Sequence, residues 1–258
     1  MVISNTSKFV FIELPQTATT AIAKELCENF GCESFLGKHS SYHEYYKAAS
    51  EEQKQYRTIG SIRNPLDLTV SMYFKYKDDK NRGEVYSKGD KKKKRYGSAL
   101  RKFLSVYRNK KRWNFIARNN ASFQDYFLKF YKLPYSNWSI LQHKEFDYII
   151  RFENLSDDYK RIFSEIGLAI DRDLPKTNTT AKKKKDFWSY YESNKAKQRA
   201  KFIFGPFMRY WKYEFPESWN DIKEPWYSET VYHIVNFFRK IYWKYLMPSK
   251  KNTLQKSY

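Results

Sequence analysis

The stretch FVFIELPQTATTAIAKEL, at residues 9–26, constrains the fold more than any other part of the sequence. Its first four residues are aromatic or β-branched, which predicts a buried strand. The residues from Thr20 onward predict a helix that continues to Phe30 and ends at Gly31. Between strand and helix lies a tight turn at residues 15–20, which contains no glycine and no lysine. Nucleotide-binding α/β folds hold phosphates at turns of this kind.

Two further strands are each followed by a helix. The run 56–62 predicts a strand, and Pro65 suits the first turn of a helix that continues to about Lys77. The run 146–152 predicts the clearest strand, followed by a helix at 157–166. The pattern indicates an α/β fold with a central parallel sheet flanked by helices, with ligands at the carboxyl ends of the strands.

The domain prediction has two parts. Residues 1–225 form one α/β domain, which carries a basic helical insertion around 78–122. Residues 226–258 form a C-terminal extension, an amphipathic helix with a basic tail. The helix prediction rests on apolar residues at helical spacing, with Arg239, Lys240 and Lys244 on the other side: Val231, Ile234, Val235, Phe238, Ile241, Tyr242 and Tyr245. We expect this helix to pack on the protein body, and a helix at a membrane interface is the alternative.

The formal charge of +21 favours a polyanionic partner. Nucleic acid, an anionic membrane surface and phosphorylated or sulfated small molecules all satisfy it, as does a plain lysine-rich surface. Cys27 and Cys32 are the only cysteines, so we expect neither a disulfide framework nor a zinc site. The sequence also shows neither a signal-peptide pattern nor a long apolar run. We therefore expect a cytoplasmic protein, with attachment at the membrane surface as an alternative.

The first turn has the composition of a phosphate cradle. A helix N-terminus offers unpaired N–H groups and a partial positive charge. Thr17, Thr19 and Thr20 can add hydroxyl donors, and the small Ala18 and Ala21 let a phosphate approach the backbone. A simple threonine-rich helix cap is the alternative interpretation.

The second turn adds a cation. Arg63 follows the second strand, and its planar guanidinium can bind a phosphate with two hydrogen bonds. Ser71 lies eight residues later in the predicted helix and can add a hydroxyl. Each residue alone is also common at protein surfaces.

Together these segments resemble the sulfotransferases that use 3′-phosphoadenosine 5′-phosphosulfate (PAPS), in particular the carbohydrate-acting members. FVFIELPQTATTAI is similar to their phosphosulfate cradle, and IGSIRNPLDLTVSMYFKY is similar to their 3′-phosphate element. GKHSSYHEY and FDYIIRFENL are similar to two further family segments. The resemblance implies a P-loop-like three-layer fold. It also implies a cofactor site formed by Gln16, Thr17, Ala18, Thr19, Thr20, Ala21, Arg63 and Ser71.

The chain departs from the family at one cradle position. The family has a lysine where this chain has Gln16, and that lysine stabilises the leaving phosphate and the transferring sulfuryl group. Loss of such a charged contact costs about 10²–10³ in rate. We expect another cation to replace it, with Lys38 as the first candidate and Lys176 as the second; otherwise the protein is slow or only binds the nucleotide.

The proposed chemistry needs a base for the acceptor's proton. A histidine suits this role, and the four in the chain are His39, His43, His143 and His233. The resemblance favours His39 as the base, with His43 as the alternative or as an acceptor-binding residue. Glu153 can orient the base or bind an acceptor hydroxyl, or it can be a plain carboxylate at a helix start. We expect no metal.

The sequence therefore predicts sulfuryl transfer from PAPS to a hydroxyl acceptor. The resemblance suggests a glycan or glycolipid, contacted by residues 78–122 and 176–200. A catalytically weak or silent relative that binds PAPS or the spent 3′,5′-adenosine bisphosphate is one alternative, and a basic nucleic-acid-binding protein is another, although we expect no specific nucleic acid. A kinase is disfavoured because the glycine-rich motif with its lysine is absent from the sequence.

Overall fold

A computed structural model of the chain describes residues 1–78, 99–136, 146–170, 172, 174 and 186–242. The chain falls into two compact units. The first comprises residues 1–64, 136–179 and 236–258, and the second comprises 65–135 and 180–235. The second unit is therefore inserted into the first along the chain.

The described residues form five strands and eight α-helices. The strands are β1 (Val2–Ser4), β2 (Phe9–Ile12), β3 (Glu33–Ser34), β4 (Arg57–Ile62) and β5 (Tyr148–Arg151). The helices are α1 (Thr19–Asn29), α2 (Tyr42–Ala48), α3 (Pro65–Lys77), α4 (Ala99–Asn119), α5 (Phe123–Phe130), α6 (Leu155–Glu165), α7 (Asn194–Tyr210) and α8 (Ser228–Ile241).

The strands form one mixed sheet in the first unit, in the order β3-β1-β2-β4-β5. β2, β4 and β5 are parallel neighbours, and these are the three strands that the sequence predicts. β1 runs antiparallel to β2 and to β3. The prediction of an α/β fold is confirmed, but the sheet predicted to be parallel is mixed, because β1 and β3 add antiparallel pairs beside β2.

Helices cover both faces of this sheet because β2 is apolar on both sides. Phe9 and Phe11 lie in one buried cluster with Ile22 of α1 and Phe163 of α6. Val10 and Ile12 alternate with them and lie in a second buried cluster, together with Tyr45 of α2. A strand buried on both faces reads as a continuous apolar run, which is what FVFI shows.

Helix ends in the first unit follow the predicted signals. Gly31 has φ +61° just after α1, and the Cys32 N–H donates to the Leu26 carbonyl at 3.1 Å. Gly167 has φ +90° just after α6. A left-handed residue that lets later N–H groups bond the last carbonyls is a common helix stop, and glycine adopts it without strain.

The second unit is helical and has an aromatic core. Tyr191 is buried against Phe123 and Phe127, with ring centroids 4.8 and 5.0 Å apart, and its hydroxyl donates to the Leu66 carbonyl at 3.1 Å. Trp219 joins the same cluster. The aromatic residues of this cluster serve packing.

The buried face of α8 is not the apolar face that the sequence predicts to be buried. Its buried side chains are Ser228, Tyr232 and Asn236, one turn apart. Phe237 and Phe238 are 61% and 63% exposed, and the other outward apolar side chains are Ile234, Ile241 and the following Tyr242. The prediction that the apolar stripe packs on the body is therefore wrong for these residues. No helix within the described ranges is long and apolar enough to span a membrane.

Candidate functional site

The turn between β2 and α1 holds an unusual backbone conformation. Gln16 has φ +68° and Ala18 has φ +59°, so two residues with side chains occupy the left-handed region. That region is disfavoured for residues other than glycine, and such strain concentrates at functional sites. Ala18 is also the N-cap of α1 and makes no side-chain capping hydrogen bond. The turn thus reaches a tight shape without glycine.

Two of the predicted hydroxyl donors brace this turn from inside. The Thr17 and Thr19 hydroxyls donate to the Leu14 carbonyl at 3.0 and 3.3 Å, and both side chains are buried. Ser61 Oγ of β4 lies 2.6 Å from Thr17 Oγ1. Because Thr17 donates its one hydrogen to Leu14, Ser61 is the donor in that pair. These hydroxyls tie the turn to itself and to the neighbouring strand.

Thr20 differs from the other two threonines because it is exposed in the first turn of α1. Lys38 Nζ donates to Thr20 Oγ1 at 2.5 Å, across 18 residues of sequence. The first turn of α1 contains no acidic residue. The ammonium of Lys38 therefore adds to the partial positive charge at this helix N-terminus. Ala21, one residue further, is buried in the core.

His39 is fixed to the end of β2 by its ring. Its Nδ1 lies 2.9 Å from the Glu13 backbone carbonyl, and Glu13 directly follows β2. A carbonyl only accepts, so Nδ1 carries the hydrogen, and in the neutral ring Nε2 carries the lone pair. His39 itself has φ +63°. The side chain is thus oriented with Nε2 as its basic atom.

The other three histidines occupy different places. His43 lies in the first turn of α2, which Ser41 and Glu44 cap reciprocally. His233 lies on α8, with Nε2 3.0 Å from Glu229 Oε1. His143 lies outside the described residues, as does Lys176, the second candidate for the replacement cation.

Arg63 connects the second turn to the first. Its Nη1 donates to the Gln16 carbonyl at 3.4 Å, and its guanidinium carbon lies 4.0 Å from the centre of the Phe152 ring. Stacking on an aromatic face holds a guanidinium in place. The sequence predicted Arg63 at this edge but gave no sign of its aromatic support.

Glu153 contacts the backbone of the second turn. Its Oε1 accepts from the Asn64 N–H at 2.7 Å, which fixes the residue after Arg63. The sequence suggested a role for Glu153 toward the base or the acceptor, and that role stays a prediction. Ser71 lies on α3 in the second unit and is 7% exposed. Its predicted part in binding a 3′-phosphate also stays a prediction.

Three supporting residues escaped the sequence analysis. Ser61 hydrogen-bonds to Thr17, the Phe152 ring stacks against the Arg63 guanidinium, and the Glu13 carbonyl accepts a hydrogen bond from the His39 ring. Ser61 left a usable signal, because it is a polar residue inside an otherwise buried strand. The other two contacts depend on tertiary structure and left none.

The two cysteines are poorly suited to covalent chemistry. Both thiols are free. Burial raises the pKa of Cys27 to about 11 and that of Cys32 to about 12. Because the thiolate is the reactive form, both side chains are weak nucleophiles near neutral pH. In the part of the chain that the structure describes, no three His, Cys, Asp or Glu side chains are grouped as a metal site.

The turn after β2 therefore carries the features of an anion site with an adjacent base. The helix N-terminus and Lys38 offer positive charge on one side, Arg63 adjoins the Gln16 carbonyl, and the His39 ring is held by the Glu13 carbonyl. Such an arrangement can bind a phosphate-like group and accept a proton from a nearby hydroxyl.

In comparisons with known proteins, no family model, curated protein or solved structure matches the chain.

Proposed function

We propose that this protein is a PAPS-dependent sulfotransferase with a P-loop-like core, which transfers the sulfuryl group to a hydroxyl of a glycan or glycolipid. The observation that carries the proposal is the contact between Lys38 and Thr20 at 2.5 Å. It supplies a cation at the helix N-terminus where the resemblance calls for a lysine and the chain has Gln16. Lys38 can thus compensate for the absence of a lysine at position 16.

Lys38 acts on the leaving group in this proposal. As the acceptor oxygen bonds to sulfur, the bond between sulfur and the bridging phosphate oxygen breaks and negative charge grows on the 5′-phosphate. The Lys38 ammonium and the first turn of α1 stabilise that charge. Charges arranged before the reaction, at the place where the transition state needs them, are the strongest contributors to rate.

His39 acts on the acceptor. Its Nε2 receives the proton of the attacking hydroxyl, while its Nδ1 hydrogen bond to the Glu13 carbonyl keeps the ring oriented. The products are the sulfate ester, a protonated His39 that returns its proton to water, and 3′,5′-adenosine bisphosphate. No metal has a part in this scheme because side chains and the helix terminus carry the charge.

Arg63 reads the 3′-phosphate that distinguishes this cofactor from other adenine nucleotides. Its support by Phe152 and by the Gln16 carbonyl holds the guanidinium beside the turn. A fixed guanidinium forms paired hydrogen bonds to phosphate with little further ordering.

A thermal-shift panel and a transfer assay test the proposal together. We expect 3′,5′-adenosine bisphosphate to raise the melting temperature well above ATP or a single-stranded oligonucleotide at equal concentration and moderate salt, because only a ligand that prefers the native state stabilises it. Transfer of labelled sulfate from PAPS to a mixed glycan panel then separates an enzyme from a silent binder.

The outcomes are distinct. Stabilisation by the bisphosphate without transfer favours a silent nucleotide-binding relative. Stabilisation by the oligonucleotide alone, with a strong salt dependence, favours a nucleic-acid-binding protein. No stabilisation by the bisphosphate overturns the proposal.

A further inference from the structure

α8 presents its apolar side to solvent, which reverses the usual arrangement of a packed amphipathic helix. Ile234, Phe237, Phe238 and Ile241 follow the i, i+3, i+4, i+7 spacing of one helix face, and all four are exposed. We call these four residues, together with Tyr242, the α8 stripe. A contiguous exposed apolar patch on an otherwise charged protein marks an interaction surface.

The opposite side of α8 is anchored. Arg209 of α7 pairs with Glu224 and with Glu229, and the Tyr227 ring packs against Phe202 with centroids 5.6 Å apart. Ser228, at the helix start, is buried and bonds to Glu224. These contacts all lie within the second unit. These contacts hold the start of α8 by the side opposite the stripe.

The sequence from position 228 onward is basic. Glu229 is the only acidic residue from position 228 to the end of the sequence, and it pairs with Arg209. The same stretch contains six basic residues: Arg239, Lys240, Lys244, Lys250, Lys251 and Lys256. On α8 itself, Arg239 and Lys240 fall on the flanks of the apolar arc at 100° per residue. Long basic side chains at such flanks can reach a charged surface while the ring side chains enter an apolar one.

We propose that the α8 stripe docks this protein on an anionic lipid surface. Phenylalanine and isoleucine enter the boundary between headgroups and acyl chains, and the flanking and following lysines meet the anionic headgroups. A nucleic acid offers no apolar layer for the stripe. A second copy of this chain would bring two charges of +21 and two sets of flanking cations together, which opposes self-association. This inference is independent of the proposed transferase activity.

Vesicle flotation with the full chain tests the proposal. The probes are vesicles of phosphatidylcholine alone and vesicles that also contain about 30 mol% phosphatidylserine, whose anionic headgroups attract nearby basic residues. The wild-type chain should float with the anionic vesicles and bind the neutral ones weakly. Phe237→Ser/Phe238→Ser should lower the partition coefficient on anionic vesicles by about 10- to 100-fold, because two exposed rings lose their transfer from water.

A matched control removes as much exposed aromatic surface elsewhere. Phe103 and Tyr107 of α4 are 65% and 57% exposed, so Phe103→Ser/Tyr107→Ser should leave vesicle binding within about twofold of wild type. Melting temperatures of both double variants should match the wild type since each change is on the surface. Lys240→Glu should weaken binding to anionic vesicles, and 0.5 M salt should weaken it for every variant.

Three results overturn the inference. Wild-type protein that fails to bind anionic vesicles shows that the stripe has another occupant, such as residues 243–258. Equal binding by the α8 double variant and the control shows that surface charge alone holds the protein. A wild-type dimer in sedimentation that Phe237→Ser/Phe238→Ser converts to monomer, without vesicle binding, assigns the stripe to a second copy of the chain.

Discussion

The ends of β2 and β4 both present a cation to the candidate site, but they do so in different ways. The end of β4 carries its own charge, because Arg63 directly follows the strand and is held by Phe152 and the Gln16 carbonyl. The turn after β2 carries no charged side chain between Leu14 and Thr20. The cation beside it is Lys38, and the proposed base is His39, whose ring contacts the Glu13 carbonyl.

The comparison indicates a division of labour. The turn after β2 supplies shape, since its threonines bond inward to Leu14 and two of its residues adopt left-handed backbone. In the proposed mechanism, the neighbouring segment 36–40 supplies the cation Lys38 and the base His39. At the end of β4, by contrast, a single side chain, that of Arg63, is both fixed in position and charged. If this is correct, substitutions near β2 should affect turnover, and those near β4 should affect nucleotide recognition.

The largest effect should come from His39. We expect His39→Ala to lower the transfer rate by about 10²–10⁴ with little change in affinity for 3′,5′-adenosine bisphosphate, because a general base acts on the acceptor proton. Single-turnover transfer and calorimetric titration measure the two quantities. His39→Asn is the fold-preserving companion, since asparagine tolerates left-handed backbone and can still donate to the Glu13 carbonyl.

His43→Ala tests the alternative base and should keep much more of the transfer rate than His39→Ala. Loss of transfer in His43→Ala with activity kept in His39→Ala would move the base to α2. Full activity in both variants would end the assignment of a histidine base.

The second largest effect should come from Lys38, the cation beside the turn after β2. Lys38→Ala should lower turnover by about 10²–10³, the usual cost of one contact made in the transition state. Gln16→Lys should change wild-type turnover little because Lys38 already contacts Thr20. In the Lys38→Ala background, however, Gln16→Lys should restore most of the loss. Rates of labelled sulfate transfer compare the four proteins.

Lys24→Ala is the control for Lys38, since Lys24 is an exposed lysine of α1 that pairs with Glu28. It should leave turnover unchanged. If Lys38→Ala and Lys24→Ala give the same turnover, the contact between Lys38 and Thr20 does not contribute to catalysis. The idea that Lys38 supplies the cation for the turn after β2 would then be wrong.

The third effect is on recognition at β4. Arg63→Ala should weaken binding of 3′,5′-adenosine bisphosphate by about 10- to 100-fold and leave adenosine 5′-phosphate almost unaffected, since charged hydrogen bonds contribute about 1.5–3 kcal/mol. Calorimetry with both nucleotides measures the difference. Arg57→Ala, at the exposed start of β4, should bind both like wild type. An equal loss for both nucleotides in Arg63→Ala would show that Arg63 does not read the 3′ position.

The smallest effect tests the link between the two strand ends. Ser61→Ala removes a donor to Thr17 and should lower the free energy of unfolding by about 1 kcal/mol, as for a typical hydrogen bond. Urea denaturation measures it, with Thr6→Ala in the exposed β1–β2 loop as the control expected to stay within about 0.5 kcal/mol. A Ser61→Ala protein as stable as the control would mean that the turn is braced by Leu14 alone.

The sequence predicts the parts of the fold that local pattern determines. β2 and β5 are rich in apolar or β-branched residues, α3 starts at Pro65, and α1 and α6 stop just before Gly31 and Gly167. β1 and β3 were missed because strands of three and two residues carry too little pattern. Their place in the sheet depends on pairing with β2, which is a tertiary property.

Prediction of the site and of α8 follows the same rule. Arg63 and the threonine-rich turn were found because their chemistry is local. The sequence proposed Lys38 as a candidate, but its contact with Thr20 crosses 18 residues and no spacing rule yields it. On α8 the period of 3.6 residues located Ile234, Phe238, Ile241 and Tyr242 but missed Phe237, and periodicity alone does not tell which side of a helix the protein covers.

The arrangement of the sheet has a consequence for the order of folding. β1 and β2 are joined by four residues and can pair within microseconds, whereas Thr58 at β4 and Asp147 before β5 bond across 89 residues that include much of the second unit. Closing so long a loop has a higher entropic cost, which slows it. We expect the β1–β2 hairpin to form early and β5 to join late. Phe152 and Glu153 follow β5, so Arg63 would receive its support only in the last step.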